Sequence, residues 1–135
     1  MGNISTTPAD HGLRVLVVDD EPLIRWSIAE ILQHRGHTVV QAPSANGALA
    51  VMNDLKEPID VVLLDLRLPD SDDLKMLTEV RRRMPHSAVI LMMSYVTPEL
   101  AQDALQLGAQ RVIGKPFDMD DVETLVRSAY QARLH

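Results

Sequence analysis

A short apolar run, Val61-Val62-Leu63-Leu64, ends directly in the carboxylate of Asp65 and constrains the fold more than any other stretch. Such a run is typical of a strand buried on both faces, as in a parallel sheet, although part of a buried helix would look similar. Asp60 before the run and the Pro69 turn after it favour the strand. Asp65 would then lie beyond the carboxyl end of a strand, where open α/β sheets bind their ligands.

A second apolar run, 13–18, ends in the same way, in the acidic triplet Asp19-Asp20-Glu21. Two later runs stop at Ser94 and just before Lys115, and segments with helical spacing of apolar residues separate the runs. Alternation of this kind, with short loops, predicts a parallel sheet with helices on both faces. We therefore predict an α/β domain of five strands and five helices, with the polar strand ends at one edge.

The whole chain has the composition of one globular domain. Its 135 residues suffice for a single hydrophobic core, and we predict a domain over 13–134 after a polar, disordered lead-in at 1–12. A net charge of −6 argues against direct binding of nucleic acid. No apolar run approaches the ~20 residues of a membrane span, and the lack of cysteine fits a cytoplasmic protein. The histidines show no metal-ligand spacing, and we predict all five at the surface: His11, His34, His37, His86 and His135.

The predicted strand ends bring together groups that suit phosphoryl chemistry. The carboxylates of Asp19, Asp20 and Asp65 would repel one another unless a cation neutralised them. Hard oxygen donors suit Mg²⁺. Lys115 supplies a positive charge on a long stem, and Ser94 supplies a hydroxyl donor. Because an aspartate can act as a nucleophile and form an acyl phosphate, we predict a site that holds a phosphoryl group on an oxygen.

On these residues the chain resembles the receiver domains of two-component response regulators, over about 13–134. The matching motifs are Val-Asp-Asp-Glu-Pro after the first strand, Leu-Asp-Leu-Arg-Leu-Pro-Asp around Asp65, Ser94, and Lys-Pro-Phe at 115–117. The segments 21–25 and 115–118 further resemble receivers joined to sigma-54-dependent activators. The resemblance implies a flavodoxin-like (βα)5 fold, doubly wound, with strand order 2-1-3-4-5.

The resemblance also implies a role for each site residue. Asp65 would accept a phosphoryl group from a phosphohistidine of a sensor histidine kinase. Mg²⁺ would bind Asp20, Asp65 and the backbone carbonyl of Arg67, with Asp19 acting through water. Ser94 would form a hydrogen bond with a phosphoryl oxygen, and Lys115 would contact the phosphoryl group or the carboxylate of Asp65. Pro116 would follow a cis peptide bond.

The implied role is that of a switch rather than an enzyme with its own substrate, because the domain would catalyse only its own phosphorylation and dephosphorylation. The face formed by helix 4, strand 5 and helix 5 would form a homodimer or contact a C-terminal output domain, which would control transcription. The protein would be cytoplasmic, without contact to a membrane or direct contact to nucleic acid.

Three positions depart from the family pattern. Val112 stands where an aromatic residue usually moves inward when the switch is activated, and valine has no ring that could do this. Tyr95 follows Ser94 where a small residue is usual, and our hypothesis is that its ring gates access to the site or substitutes for the missing aromatic residue. Asp73 replaces a glycine of the turn and adds an acid near the metal.

Three other functions compete with this interpretation. An aspartyl-phosphate hydrolase of the haloacid dehalogenase type would need an acid two residues after its nucleophile, where this chain has Arg67. A flavodoxin-like cofactor module would need a phosphate loop rich in Ser, Thr and Gly after the first strand, where the acids at 19–21 would repel a phosphate. A degenerate receiver would act as a phosphorylation-independent interaction module, an alternative that Val112 and Tyr95 keep open.

Overall fold

A computed structural model of the protein describes residues 12–71 and 73–133. Five strands and five helices alternate in this part of the chain, and a short 3-10 turn, Met119–Asp121, precedes the last helix. The strands are β1 Arg14–Val18, β2 Thr38–Ala42, β3 Val61–Asp65, β4 Ala88–Met93 and β5 Arg111–Gly114. The helices are α1 Pro22–His34, α2 Ala45–Asn53, α3 Lys75–Arg83, α4 Pro98–Gln106 and α5 Val122–Ala132. The predicted disordered lead-in lies outside the described residues except for Gly12, which is exposed.

The strands form one parallel sheet in the order β2-β1-β3-β4-β5, which confirms the predicted doubly wound, flavodoxin-like topology. Every residue of β3 and β4 is buried, because both strands lie inside the sheet with helices on either face. Burial on both faces explains why these two strands have apolar sequences with few interruptions. The parallel arrangement also brings the carboxyl ends of all five strands to one edge.

Alternate side chains of the strands build two separate cores, one on each face of the sheet. Leu16, Leu64 and Leu91 pack with α2 and α3 on one face. Val17 and Ile90 pack with α1 and α5 on the other. Burial of each large aliphatic side chain contributes roughly 1.5–3 kcal/mol to folding. The two cores hold the sheet rigid beneath its carboxyl edge.

Residues with suitable backbone or capping preferences stand at the ends of several helices. Pro22 occupies the first turn of α1, and the oxygens of Ser44 and Thr97 accept backbone N–H groups at the starts of α2 and α4. Gly36 and Gly108 follow α1 and α4 with φ of +88° and +108°, a left-handed conformation that favours glycine. Within 12–71 and 73–133, no helix combines the length and apolar character needed to cross a membrane.

The prediction that every histidine is at the surface was wrong for His37, whose side chain is fully buried. Its Nδ1 accepts the N–H of Leu13 at 2.9 Å, and its Nε2 lies 2.7 Å from Oε2 of Glu123. Both ring nitrogens therefore have partners, which makes burial of the ring tolerable. His34 and His86 are exposed as predicted, whereas His11 and His135 lie outside the described residues.

Candidate functional site

A cavity of about 320 Å³ opens at the carboxyl edge of the sheet. Its lining includes five of the predicted site residues: Asp20, Asp65, Arg67, Ser94 and Lys115. They come from the carboxyl ends of four strands, β1, β3, β4 and β5, and from the loops that follow them. The parallel topology therefore assembles the cavity from residues that are far apart in the sequence.

The ammonium of Lys115 lies at the centre of the site. Its Nζ is 2.8 Å from Asp19 Oδ2, 2.8 Å from Glu21 Oε1 and 2.9 Å from Asp65 Oδ2. The backbone N–H of Lys115 donates to the carbonyl of Met93 at 2.7 Å, and its peptide bond to Pro116 is cis, as the family resemblance implied. Burial alone would lower the pKa of Lys115, but the three carboxylates outweigh burial and raise that pKa above its usual value.

Asp65 is almost completely buried at the end of β3. Its Oδ1 accepts the N–H of Arg67 at 3.2 Å, while its Oδ2 accepts from Lys115. Burial is the main reason that the pKa of Asp65 is raised, and the nearby charge of Asp19 adds to it, although Lys115 and the N–H of Arg67 oppose the shift. The site thus holds a carboxylate that is more basic than an exposed aspartate.

Asp19 is fully buried and has one oxygen without a hydrogen bond. Its Oδ1 accepts the N–H of Glu21 at 2.9 Å. Its Oδ2 faces Lys115 in an ion pair but accepts no hydrogen bond. The ion pair with Lys115 therefore offsets the cost of burying this charged oxygen.

Glu21 is a site residue that sequence analysis missed. Oxygens of Asp19, Glu21 and Asp65 all lie within 4.8 Å of one another. Asp20, the predicted metal ligand, is exposed and lines the cavity without joining this cluster. The signal for Glu21 was its place in the acidic triplet, but the sequence could not show which two of the three consecutive acids reach Lys115.

The donor set fits a hard divalent cation. Three carboxylates against one ammonium leave two negative charges in a small volume. The Oδ2 of Asp19, which is held by its ion pair with Lys115 and accepts no hydrogen bond, adds a buried anionic oxygen to this set. Oxygen donors of this kind suit Mg²⁺, which uses one or two carboxylates and keeps several waters.

The other predicted residues occupy less confined positions. Ser94 is exposed where it lines the cavity, and the ring of Tyr95 is 84% exposed and lies outside the cavity lining. Val112 is half-buried in β5 and packs against the core shared with α2 and α3. Asp73 accepts the N–H of Lys75 at 2.9 Å, so its carboxylate stabilises the start of α3.

Two side chains hold the loops of the site in place. Nη1 of Arg25 donates to the carbonyl of Asp19 at 2.7 Å, which fixes the turn between β1 and α1. The two carboxylate oxygens of Asp70 accept the N–H groups of Asn46 and Ala45, each at 2.8 Å. These bonds lower the pKa of Asp70 and attach the loop after Asp65 to the start of α2.

Comparisons with known proteins agree with this geometry. The family model described as "Response regulator receiver domain" matches residues 15–127. The chain is 37% identical over 115 residues to the DNA-binding transcriptional regulator NtrC of Salmonella typhimurium, covering 85% of this chain and 24% of that protein. It is 33% identical over 114 residues to sporulation initiation phosphotransferase F of Bacillus subtilis, covering 84% of this chain and 90% of that protein.

A solved structure shows the same fold. The chain matches the CheY-like response regulator receiver domain protein from Methanospirillum hungatei with a TM-score of 0.83 and 27% identity, covering 91% of this chain and 97% of the other. The chain thus spans about a quarter of the length of NtrC but nearly all of the two smaller proteins. From the family match, the relatives and the fold together, the chain belongs to the response regulator receiver domains of two-component signalling.

Proposed function

We propose that Asp65 accepts a phosphoryl group from a phosphohistidine of a sensor histidine kinase. A carboxylate oxygen of Asp65 attacks phosphorus, the P–N bond to the imidazole breaks, and the histidine leaves with the bonding electrons. The product is an acyl phosphate on Asp65. The buried position and raised pKa of this carboxylate support its role as nucleophile.

The residues around Asp65 would then stabilise the transferred group. Asp20, Asp65 and the carbonyl of Arg67 would hold Mg²⁺, with Asp19 acting through water. When bound, the cation neutralises charge on the phosphoryl oxygens. Lys115 is already within 2.9 Å of Asp65 and would contact one phosphoryl oxygen. The hydroxyl of Ser94 would donate to another.

Water would end the signal. Attack of water at phosphorus breaks the bond to the carboxylate oxygen of Asp65 and releases inorganic phosphate. The domain therefore turns over no external substrate, and its chemistry is limited to its own phosphorylated state. The intact set of Asp19, Asp65 and Lys115 argues against a degenerate, phosphorylation-independent module.

The output is proposed to be transcription, in the cytoplasm. NtrC, a relative that contains a matching segment, is a DNA-binding transcriptional regulator. By analogy, a C-terminal output domain, of the sigma-54-dependent type or another, would respond to this receiver. The proposed contact surface, for that domain or a second copy of the chain, is the face of α4, β5 and α5, and Leu105 of α4 is an exposed apolar residue.

Two of the three departures from the family pattern, Tyr95 and Val112, bear on access to the site and on the readout of the signal. The proposed gate at Tyr95 requires its ring to swing from the exposed position into the mouth of the cavity. Val112 packs in the core and has no ring to move, so the readout is proposed to depend on α4 rather than on an aromatic switch.

The contact of Lys115 with both Asp19 and Asp65 carries the proposal, and intact mass tests it. The protein is incubated with acetyl phosphate, with Mg²⁺ or with a chelator, as wild type and as Asp65→Asn. We expect the mass of one phosphoryl group to be added to the wild type only, and only with Mg²⁺. Equal labelling of the variant would refute Asp65 as the acceptor.

A further inference from the structure

Glu21 differs from the other two carboxylates around Lys115. The side chains of Asp19 and Asp65 are 0% and 6% exposed, whereas that of Glu21 is 56% exposed. Glu21 occupies the N-cap position of α1, yet its side chain caps no backbone N–H. Its Oε1 instead lies 2.8 Å from Nζ of Lys115. The carboxylate of Glu21 therefore pairs with the lysine and does not cap its own helix.

After phosphorylation, Glu21 and the phosphoryl group would compete for the ammonium of Lys115. The acyl phosphate carries more negative charge than the carboxylate it replaces. An oxygen of Glu21 lies within 4.8 Å of an oxygen of Asp65, so the two negative groups would repel each other. Glu21 also holds the ammonium of Lys115, which the phosphoryl group needs. Both effects act against the phosphorylated state.

We propose that Glu21 is a positioning residue that restrains phosphorylation by holding Lys115. The inference rests on the proposed function of Asp65 and adds a regulator to that site. Because Glu21 is the exposed member of the cluster, it can turn into solvent when a phosphoryl group arrives. Asp19 is buried and fixed by the N–H of Glu21, so it cannot leave in the same way.

The charge of Glu21 should have opposite effects on two ligands. A metal cation is attracted by every carboxylate near it, so removal of the Glu21 charge should weaken Mg²⁺ binding. A phosphoryl group is repelled by that charge and gains a freer Lys115, so its binding should strengthen. A change that merely loosened the fold would weaken both. The two signs therefore separate this role from a structural one.

The test compares Glu21→Gln with the wild type. Calorimetric titration gives the Kd for Mg²⁺, and titration with beryllium fluoride at saturating Mg²⁺ gives the affinity for a phosphoryl mimic. Intact mass gives the rate of labelling by acetyl phosphate. We expect Mg²⁺ binding to weaken, and the mimic affinity and labelling rate to rise, each about two- to fivefold, as befits one partly exposed charge pair.

Glu57→Gln is the matched control. Glu57 is also an exposed acid with a basic partner, because its Oε1 lies 3.1 Å from Arg14. Arg14 begins β1, at the opposite edge of the sheet from the cavity. This variant changes the net charge by the same amount and should leave all three measurements unchanged.

The outcomes separate the inference from the function on which it rests. If the wild type is labelled and Glu21→Gln behaves like it, the restraint is refuted and the proposed function stands. If Glu21→Gln binds both ligands more weakly, Glu21 supports the site instead, and the inference is overturned. If only Glu21→Gln is labelled, the restraint is stronger than expected. If neither is labelled, both proposals fail.

Discussion

Replacing Lys115 by methionine tests how far the stability of the fold depends on the positive charge between the buried carboxylates. Methionine keeps most of the side-chain volume but leaves Asp19 and Asp65 facing each other without a positive charge. Removing one partner of a fully buried ion pair costs about 3–5 kcal/mol. Because this cavity opens to solvent, we expect a loss of about 2–3 kcal/mol, which lowers Tm by roughly 6–15 °C for a domain of this size.

The assay is thermal unfolding followed by circular dichroism, in a chelator and in a series of Mg²⁺ concentrations. A divalent cation can replace the missing ammonium, and a ligand at 100 times its Kd stabilises the folded state by about 2.7 kcal/mol. Mg²⁺ should therefore raise the Tm of Lys115→Met more than that of the wild type.

Two further variants control this experiment. Lys56→Met removes an exposed lysine away from the cavity and should leave Tm nearly unchanged. Adding Asp19→Asn to Lys115→Met removes the repulsion and should recover part of the lost stability. The reasoning is refuted if Lys115→Met is as stable as the wild type in chelator, or if Mg²⁺ raises both Tm values equally.

Three more measurements probe the fold and the loops of the site. His37→Phe keeps a buried ring but deprives Leu13 and Glu123 of a partner, so urea denaturation should show a loss of about 2–3 kcal/mol, and an unchanged midpoint would contradict this. The folded-state pKa of Asp70 lies below its ordinary value of 3.8, so its contribution is present above that value and is lost as pH falls through the folded pKa. Asp70→Ala should therefore be less stable than wild type at pH 7, with the gap closing in acid, and a pH-independent gap would exclude this origin. Tyr95→Ala should speed both labelling and hydrolysis in the mass assay, and equal rates would eliminate the proposed gate.

Much of the fold could be predicted because its causes are local. The unbroken apolar sequence of β3 indicates burial on both faces, and Pro22, Gly36 and Gly108 mark ends of helices through their backbone preferences. The same logic predicted that Asp65 and Lys115 would meet, because parallel strands end at one edge.

What the sequence could not supply were partners chosen by the tertiary structure. His37 is a polar residue after a glycine, and nothing nearby indicates that its ring is buried against Glu123, which is 86 positions away. Likewise, Asp20 and Glu21 are adjacent acids, and only the turn into α1 decides which carboxylate reaches Lys115. From the sequence, Asp70 is an ordinary turn residue, and only the structure shows that its carboxylate contacts the start of α2.

The helix α4 buries fewer residues than α1 and α5, which affects how easily it can move. Ala104 is its one fully buried residue, and Leu100 is only partly covered, while α1 and α5 each bury three residues. A shift of α4 from its seated to a displaced position would therefore expose less buried apolar surface than a shift of α1 or α5, and should cost less free energy. A bias of about 1.4 kcal/mol changes the ratio of two such positions tenfold. We therefore expect a new contact of about this strength at the carboxyl edge of the sheet to shift α4 more readily than α1 or α5.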